Sequence, residues 1–171
     1  MIKSNKRGDY LRQQHTIESL YDESSKILIL GSFPSVASRE QGFFYGHKQN
    51  RFWKVVSAVI NKPTPQTIEE KREFLLKNHI ALWDVIASCE ITGSSDSSIK
   101  NVKPNDIGKI LKSTNIKAIF TNGKAAFNLY NKYILTKTKI TPIYLPSTSP
   151  ANAAFSLERL IEEWKKIKEF L

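Results

Sequence analysis

The sequence is poor in cysteine, histidine and acidic residues, and each shortage excludes a class of protein. A single cysteine, Cys89, cannot form an internal disulfide, which suits a reducing cytoplasm. Three histidines far apart in the chain show no metal-ligand spacing, so we expect no metal and no cofactor. No run of 18 apolar residues occurs and none follows the basic N-terminal residues, so we expect neither a membrane span nor a secretory signal.

Positive charge is in clear excess. The chain has 26 Lys and Arg against 16 Asp and Glu, which gives a formal net charge of +10. The long-range field of a small basic protein attracts polyanions, and nucleic acid is the commonest of these partners. A lysine-rich surface that serves only solubility is the alternative interpretation.

The order of apolar segments predicts an α/β fold. At 171 residues the chain has the size of one domain, and we expect residues 1–24 to form an N-terminal helical extension. Segments of helical period lie between four short apolar runs, one of them opened by Thr64 and Pro65 and another with Pro104 near its start. The runs have the length of strands buried on both faces; they are residues 26–31, 80–86, 116–122 and 141–147. This alternation predicts a parallel sheet covered by helices on both faces, with its site beyond the carboxyl ends of the strands.

The loop after the first run contains the aromatic stretch "FFYGHKQNRFW", residues 43–53. Asn50 stands just before a helical pattern, so it is either the N-cap or an amide that holds a water or a ring edge. His47 is either an ordinary loop residue or a hydrogen-bond donor to a substrate. Both pairs of alternatives stay open at the level of sequence.

The other loops at the same sheet edge also carry polar side chains. Asp84 either caps its loop or takes part in catalysis, and Asn122 either caps a helix or presents its amide to a ligand. Three hydroxyl residues, 147 to 149, lie between two prolines and are suited to phosphate oxygens. We expect the segment "GSSDSS", residues 93–98, to be a mobile loop. Dinucleotide, phosphate-loop and G-x-S-x-G signatures are absent.

Two segments together resemble a known family. "GSFPSVASREQGFFYGHKQNRFWKV" and "LPSTSPAN" are similar to the signature segments of the uracil-DNA glycosylase superfamily, in particular its hypoxanthine-DNA glycosylase, or DNA-deoxyinosine glycosylase, branch. "ALWDVIASCE", "GSSDSSIKN" and "FTNGKAAF" extend the resemblance over about residues 25–155. It implies a three-layer αβα sandwich with a four-stranded parallel sheet. It also implies a monofunctional enzyme that flips out and excises deaminated bases in base excision repair.

The resemblance also implies roles for individual residues. Asn50 corresponds to a functional Asn of the hypoxanthine branch and would orient the attacking water, whereas Phe33 stands where mismatch-specific uracil glycosylases have the Asn of Gly-Ile-Asn-Pro. Phe44 or Tyr45 would stack on the base, while backbone donors near Ser32 and Phe33 and the Asn122 side chain would read its edge. The expected base-binding residues are Gly31, Ser32, Phe33, Phe44, Tyr45, His47 and Asn122. The expected DNA-contacting residues are Ser147, Thr148, Ser149, Pro150 and Asn152, with Ala151 beside them.

The resemblance also implies the binding partner, and two alternative functions stay open. The expected partner is double-stranded or single-stranded DNA that contains deaminated bases, bound by a monomer in the cytoplasm, at the nucleoid if the source is bacterial. No lysine in the motifs suits a Schiff base, so no lyase activity is expected. The alternatives are a mismatch-specific uracil glycosylase and a DNA-binding module of the same fold without catalysis.

Overall fold

The structure is a computed structural model, and it describes residues 11–171. Strands and helices alternate along most of this part of the chain. The strands are β1 (Leu11–Gln14), β2 (Ile27–Gly31), β3 (Ile80–Asp84), β4 (Ile86–Ile91), β5 (Lys100–Pro104), β6 (Ala118–Asn122) and β7 (Ile143–Leu145). The helices are α1 (Val36–Gln41), α2 (Phe52–Val59), α3 (Ile68–Lys77), α4 (Ile107–Ser113), α5 (Lys124–Tyr133), α6 (Leu135–Thr138) and α7 (Leu157–Trp164), with 3-10 turns at Asp96–Ser98 and Lys165–Phe170.

A four-stranded parallel sheet of order β3-β2-β6-β7 forms the centre of the fold, which confirms the predicted sheet. Its four strands lie within the four apolar runs, because strands covered on both faces have few polar positions. Alternate residues of β2 face opposite cores: Ile27 and Ile29 pack with α2 and α7, whereas Leu28 and Leu30 pack with α4 and α5. The sheet is therefore the middle layer of three, as the sequence predicts.

A second sheet was not expected from the sequence. Strands β1, β4 and β5 form an antiparallel sheet in which β4 is central. The apolar run 80–86 contains all of β3 and the first residue of β4, and the chain passes from one sheet to the other at Val85. The β5 sequence, KNVKP, has a single apolar residue, so its pattern does not indicate a strand.

Three predictions about local structure need correction. Residues 11–24 contain the strand β1 and no helix, and the rest of the expected helical extension lies outside the described residues. Thr67, and not Thr64 with Pro65, caps α3, because its side chain and Glu70 form a reciprocal capping box. Pro104 ends β5 instead of opening a helix, and α4 begins three residues later at Ile107.

Candidate active site

A cavity of about 330 Å³ opens at the carboxyl ends of the parallel strands, at the edge of the sheet where the sequence predicts the site. Of the thirteen residues predicted to bind base or DNA or to act in catalysis, all except Asn152 line it. The chain therefore folds so that its first and last loops face one another across a small pocket. The cavity is also lined by Asp84, a catalytic alternative in the sequence, and by Ala151, expected beside the DNA-contacting residues. Five further lining residues had no expected role: Pro34, Ser35, Ser38, Ser94 and Asp96.

Arg51, and not Asn50, is the N-cap of α2, so the N-cap alternative for Asn50 is wrong by one residue. The Asn50 Oδ1 accepts hydrogen bonds from Phe52 N at 2.9 Å and from Thr148 Oγ1 at 2.9 Å. The first bond ties the side chain to the first residue of α2 and fixes the orientation of the amide, because a backbone N–H can only donate. The Nδ2 atom has no partner among residues 11–171, and Asn50 lines the cavity. The amide nitrogen is therefore an unpaired donor within the described chain, in a residue that borders the cavity.

Asn122 and Thr148 form the support behind this amide. Asn122 Oδ1 accepts from Thr148 N at 3.0 Å, and its Nδ2 donates to Thr148 Oγ1 at 3.0 Å. Thr148 is fully buried, and its hydroxyl donates in turn to Asn50. A fully buried hydroxyl cannot contact a DNA phosphate, so the expected DNA contact by the Thr148 side chain is replaced by a structural one. Asn122 uses both amide atoms in this support and retains one Nδ2 hydrogen for other partners.

Arg51 holds the last loop in place, and nothing in the sequence pattern points to this role. Its guanidinium donates to the backbone oxygens of Thr148, Ser149, Asn152 and Phe155, with distances of 3.0 Å to Ser149 and Asn152. The planar fork of an arginine can reach several carbonyls at once, and a lysine cannot. The Asn152 Nδ2 donates to Ser147 O at 3.0 Å, so Asn152 braces this loop from outside the cavity.

The exposed part of the last loop carries short polar side chains. Ser147 Oγ accepts from Ser149 N at 3.1 Å, and Ser149 Oγ accepts from Ala151 N at 3.2 Å. These bonds shape two successive turns and leave each hydroxyl hydrogen available. Pro150 and Ala151 are exposed at the tip of the loop. His47 is exposed nearby, and its Nδ1 accepts from Gln49 N at 3.1 Å, which leaves Nε2 as the outward donor.

Asp84 lines the cavity, and it is paired with His15, which is buried behind the lining residues. His15 Nε2 lies 2.8 Å from Asp84 Oδ2, and the two side chains are 2% and 6% exposed. His15 Nδ1 accepts from Ile17 N at 3.3 Å, so the ring proton is on Nε2 and is donated to the carboxylate. Asn105 Nδ2 fixes the backbone here by donating to the carbonyl of Asp84 at 2.9 Å. Nothing in the sequence pattern predicts this pair. His15 follows β1, and it lies beside Asp84 because β1 pairs with β4 in the second sheet.

Tyr45 contributes its hydroxyl to the cavity. Its ring stacks on Phe52 with centroids 4.1 Å apart and an interplanar angle of 16°, so one face of the ring is already covered. The hydroxyl is buried and has no hydrogen-bond partner within the described chain. Burial, and then the negative charges of Asp84 and Asp96, raise the pKa of this phenol well above its usual value. It therefore stays a protonated donor.

Asp96 closes the cavity from the segment that the sequence predicts as a mobile loop. Ser32 Oγ donates to its Oδ1 at 2.7 Å. Although Asp96 as a whole is exposed, partial desolvation of its carboxyl raises the pKa, with Asp84 acting in the same direction. The neighbouring residues are tied to α1: Val36 N donates to Ser94 Oγ at 3.0 Å and Arg39 donates to the Gly93 carbonyl at 2.9 Å. In the structure this segment is a wall of the pocket.

The two phenylalanines of the predicted base-binding set lie next to the His–Asp pair. Phe33 and Phe44 are 8% and 3% exposed, and their rings lie 6.0 Å and 6.4 Å from that of His15. Both line the cavity. Among residues 11–171, no cluster of three or more His, Cys, Asp or Glu side chains is arranged to hold a metal ion.

The chain is similar in sequence to known proteins. The family model described as the uracil DNA glycosylase superfamily matches residues 18–169. The hypoxanthine DNA glycosylase of Methanosarcina acetivorans is 34% identical over 153 residues, which are 87% of this chain and 94% of that protein. The protein of the same name from Methanosarcina barkeri is 37% identical over 106 residues, 60% of this chain and 66% of that protein.

A solved structure shows the same fold. The solution NMR structure of a candidate uracil DNA glycosylase from Methanosarcina acetivorans superposes with a TM-score of 0.78 at 32% sequence identity. The match covers 92% of this chain and 96% of that chain. No helix within residues 11–171 is long and apolar enough to cross a membrane. By the extent of the family match and of these similarities, the chain belongs to the uracil DNA glycosylase superfamily.

Proposed function

We propose that this chain is a monofunctional DNA glycosylase that flips deaminated bases out of DNA and hydrolyses their N-glycosidic bond. Hypoxanthine is the favoured base, with uracil and xanthine as further substrates. One observation carries the proposal: the Asn50 amide is anchored through its oxygen, while its nitrogen has no partner among residues 11–171 and Asn50 lines a base-sized cavity. Two relatives that carry the name hypoxanthine DNA glycosylase support the choice of base.

The chemistry follows from the charges that develop. As the bond from C1′ to the base nitrogen breaks, the sugar becomes positive and the base negative. Water attacks C1′, its oxygen bonds to the sugar, and its proton is released as the departing base gains one. A neutral amide is a weak base, so the role of Asn50 is to position this water. Donors that face the base stabilise its developing negative charge and so lower the barrier.

DNA binding is assigned to the basic surface and to the exposed end of the last loop. The net charge of +10 favours phosphate contacts, and the hydroxyls of Ser147 and Ser149 retain a hydrogen to donate. Pro150 and Ala151, exposed at the tip, approach the gap that a flipped base leaves in the duplex. Phe44 packs against the base, and His47 donates from the rim. We propose that the enzyme acts as a monomer in the cytoplasm.

The proposal is tested with otherwise identical duplexes that carry one deoxyinosine, deoxyuridine, deoxyxanthosine or no lesion. Each is incubated with the protein and then treated with alkali, which cleaves abasic sites. We expect cleavage that is fastest with deoxyinosine and that needs the alkali step, since the enzyme has no lyase activity. A preference for deoxyuridine in mismatches would favour the uracil alternative. Abasic product from no lesion, together with retained DNA binding, would favour the non-catalytic module.

A further inference from the structure

Where β2 and β3 end, the cavity is lined by a hydrogen-bond acceptor and a hydrogen-bond donor that both lie next to Gly31. They are Asp84 Oδ1 and the Tyr45 hydroxyl. A Cβ atom placed on Gly31 would be 2.4 Å from the first and 3.2 Å from the second, so the two oxygens border the same small space. Within residues 11–171, Asp84 Oδ1 has no hydrogen-bond partner, and the Tyr45 hydroxyl makes no hydrogen bond of normal geometry, although the Asn122 side chain lies close enough to offset part of the rise in its pKa.

The unsatisfied hydroxyl of Tyr45 indicates a ligand. A buried polar group without a partner costs free energy, and most such groups in folded proteins are satisfied. Tyr45 also has φ of 51°, a left-handed conformation that is unfavourable for an aromatic residue. Its stacking on Phe52 and this backbone conformation together hold the hydroxyl at the cavity floor. A group kept in an unfavourable state at a pocket points to a partner that arrives with the substrate.

The acceptor is held equally firmly. His15 donates to Asp84 Oδ2, and Asn105 donates to the Asp84 carbonyl, so Oδ1 is the oxygen left for a ligand. Asp96 is the other carboxylate of the cavity, and its Oδ1 already accepts from Ser32. Asn122 bonds to Thr148 through both of its amide atoms, so one Nδ2 hydrogen is what it retains for the edge of the base.

We propose that Asp84 and Tyr45 read the lactam group of the flipped base. Asp84 Oδ1 accepts the ring N–H, and the Tyr45 hydroxyl donates to the adjacent carbonyl oxygen. The inference rests on the proposed glycosylase function, and it adds the atoms by which a deaminated base is distinguished from its parent. His15 acts through Asp84 as a positioning residue.

The chemistry of the bases explains the selectivity. Hypoxanthine, xanthine and uracil each place a ring N–H beside a carbonyl oxygen. Adenine and cytosine place an amino donor beside a ring-nitrogen acceptor, so they would set donor against donor at Tyr45 and acceptor against acceptor at Asp84. A site built to bond a particular polar pattern rejects the reversed pattern strongly. Guanine and thymine also contain the lactam, so this pair excludes adenine and cytosine only.

The test removes the same contact from the protein and from the base. Wild type, Tyr45→Phe and Asp84→Asn are compared for binding to duplexes that contain uncleavable 2′-fluoroarabino forms of deoxyinosine or of deoxynebularine, whose base is unsubstituted purine. We expect Tyr45→Phe to weaken binding to the deoxyinosine duplex by about 10-fold and Asp84→Asn by about 10- to 100-fold. Neither variant should weaken binding to the deoxynebularine duplex, since that base has no lactam to lose. Tyr144→Phe and Asp106→Asn, both on the surface, are the matched controls.

The outcomes separate this inference from the function on which it rests. Equal losses on both duplexes would show that the two side chains act only through the fold, and no loss on either would remove them from recognition. Each of these results overturns the lactam proposal while wild type still excises hypoxanthine. If wild type neither excises hypoxanthine nor prefers the deoxyinosine analogue to an undamaged duplex, the proposed function and this inference both fail. If Asp84→Asn fails to fold, Tyr45→Phe alone still tests the inference.

Discussion

Thr148 donates a hydrogen bond of 2.9 Å to Asn50 although the two residues are 98 positions apart. This bond joins the first and last loops of the site, and it is backed by the two bonds between Thr148 and Asn122. The Asn50 amide, for which we propose a water-positioning role, is therefore oriented by residues at and beyond the carboxyl ends of β6 and β7 as well as by Phe52 N at the start of α2. Precise placement of reacting groups makes a large contribution to rate, so this support should be visible in kinetics.

Replacing Asn50 by Asp keeps the oxygen that accepts from Phe52 N and Thr148 but removes the N–H donor. We expect the excision of hypoxanthine to slow by about 100-fold or more, because the water loses its positioning group. Thermal unfolding should change little, since Phe52 N and Thr148 keep their acceptor. Single-turnover cleavage of a deoxyinosine duplex and a melting curve measure both effects. Asn50→Ala, which loses the acceptor of both hydrogen bonds as well, should in addition cost about 1 kcal/mol of stability.

Thr148→Val removes the linking hydroxyl at nearly constant shape. Asn122 Nδ2 then loses its acceptor in a buried place, which should cost about 1–3 kcal/mol of the free energy of unfolding. The excision rate should fall as well, because the Asn50 amide loses one of its two anchors. Thr148→Ser retains the hydroxyl and serves as the control. If Val and Ser variants cleave deoxyinosine equally fast, the hydroxyl does not orient Asn50.

Gly31→Ala should damage the pocket through one contact. The added Cβ would lie 2.4 Å from Asp84 Oδ1, so the carboxylate or the strand has to move. We expect a loss of about 1–3 kcal/mol in stability, the usual cost of overpacking, together with weaker binding of the base. Denaturant unfolding and the excision assay report the two losses. Gly108→Ala in α4 is the comparison, and it should be neutral or stabilising because Ala favours a helix interior.

The Asp96 carboxyl makes stability depend on pH in a direction that can be checked. Partial desolvation of the carboxyl raises its pKa from the ordinary 3.8, but the residue as a whole is exposed, so solvent screening keeps the effect on stability small. Between that value and the raised one the folded chain binds more protons than the unfolded chain. The contribution of Asp96 to stability therefore falls as pH rises through this window and stays constant above it. Asp96→Asn should abolish this contribution. Urea unfolding of both proteins from pH 4 to pH 7 would show it, and a pH dependence unchanged by the substitution would contradict the assignment.

Tyr45→Phe should make the free protein more stable while it weakens recognition. The hydroxyl is buried without a partner in the described chain, and its removal should raise the free energy of unfolding by about 1 kcal/mol. The ring keeps its stacking on Phe52, so no cavity forms. Differential scanning calorimetry without DNA tests this point. A clear loss of stability would mean that the hydroxyl is satisfied in the free protein.

The sequence predicts those parts of the molecule that depend on local pattern. The strands β2, β3, β6 and β7 are visible because both of their faces are buried, and their carboxyl ends locate the cavity. The pairing of His15 with Asp84 is invisible because it depends on the polar strands β1 and β5 of the second sheet. The hydrogen bonds from Arg51 to four backbone oxygens likewise leave no pattern in the sequence, since every residue has the same carbonyl group.

The origin of each wall of the cavity matters for redesign. Asn50 and Arg51 are consecutive, and both bond to the loop of residues 147–155, so the two segments form one unit that has to be exchanged together. Asp84 and Asp96 come from a different stretch of chain and bond to neither member of that unit. A library of variants limited to residues 84–98 can therefore change the side chains that face the base without changing Asn50, Arg51 or the loop of residues 147–155.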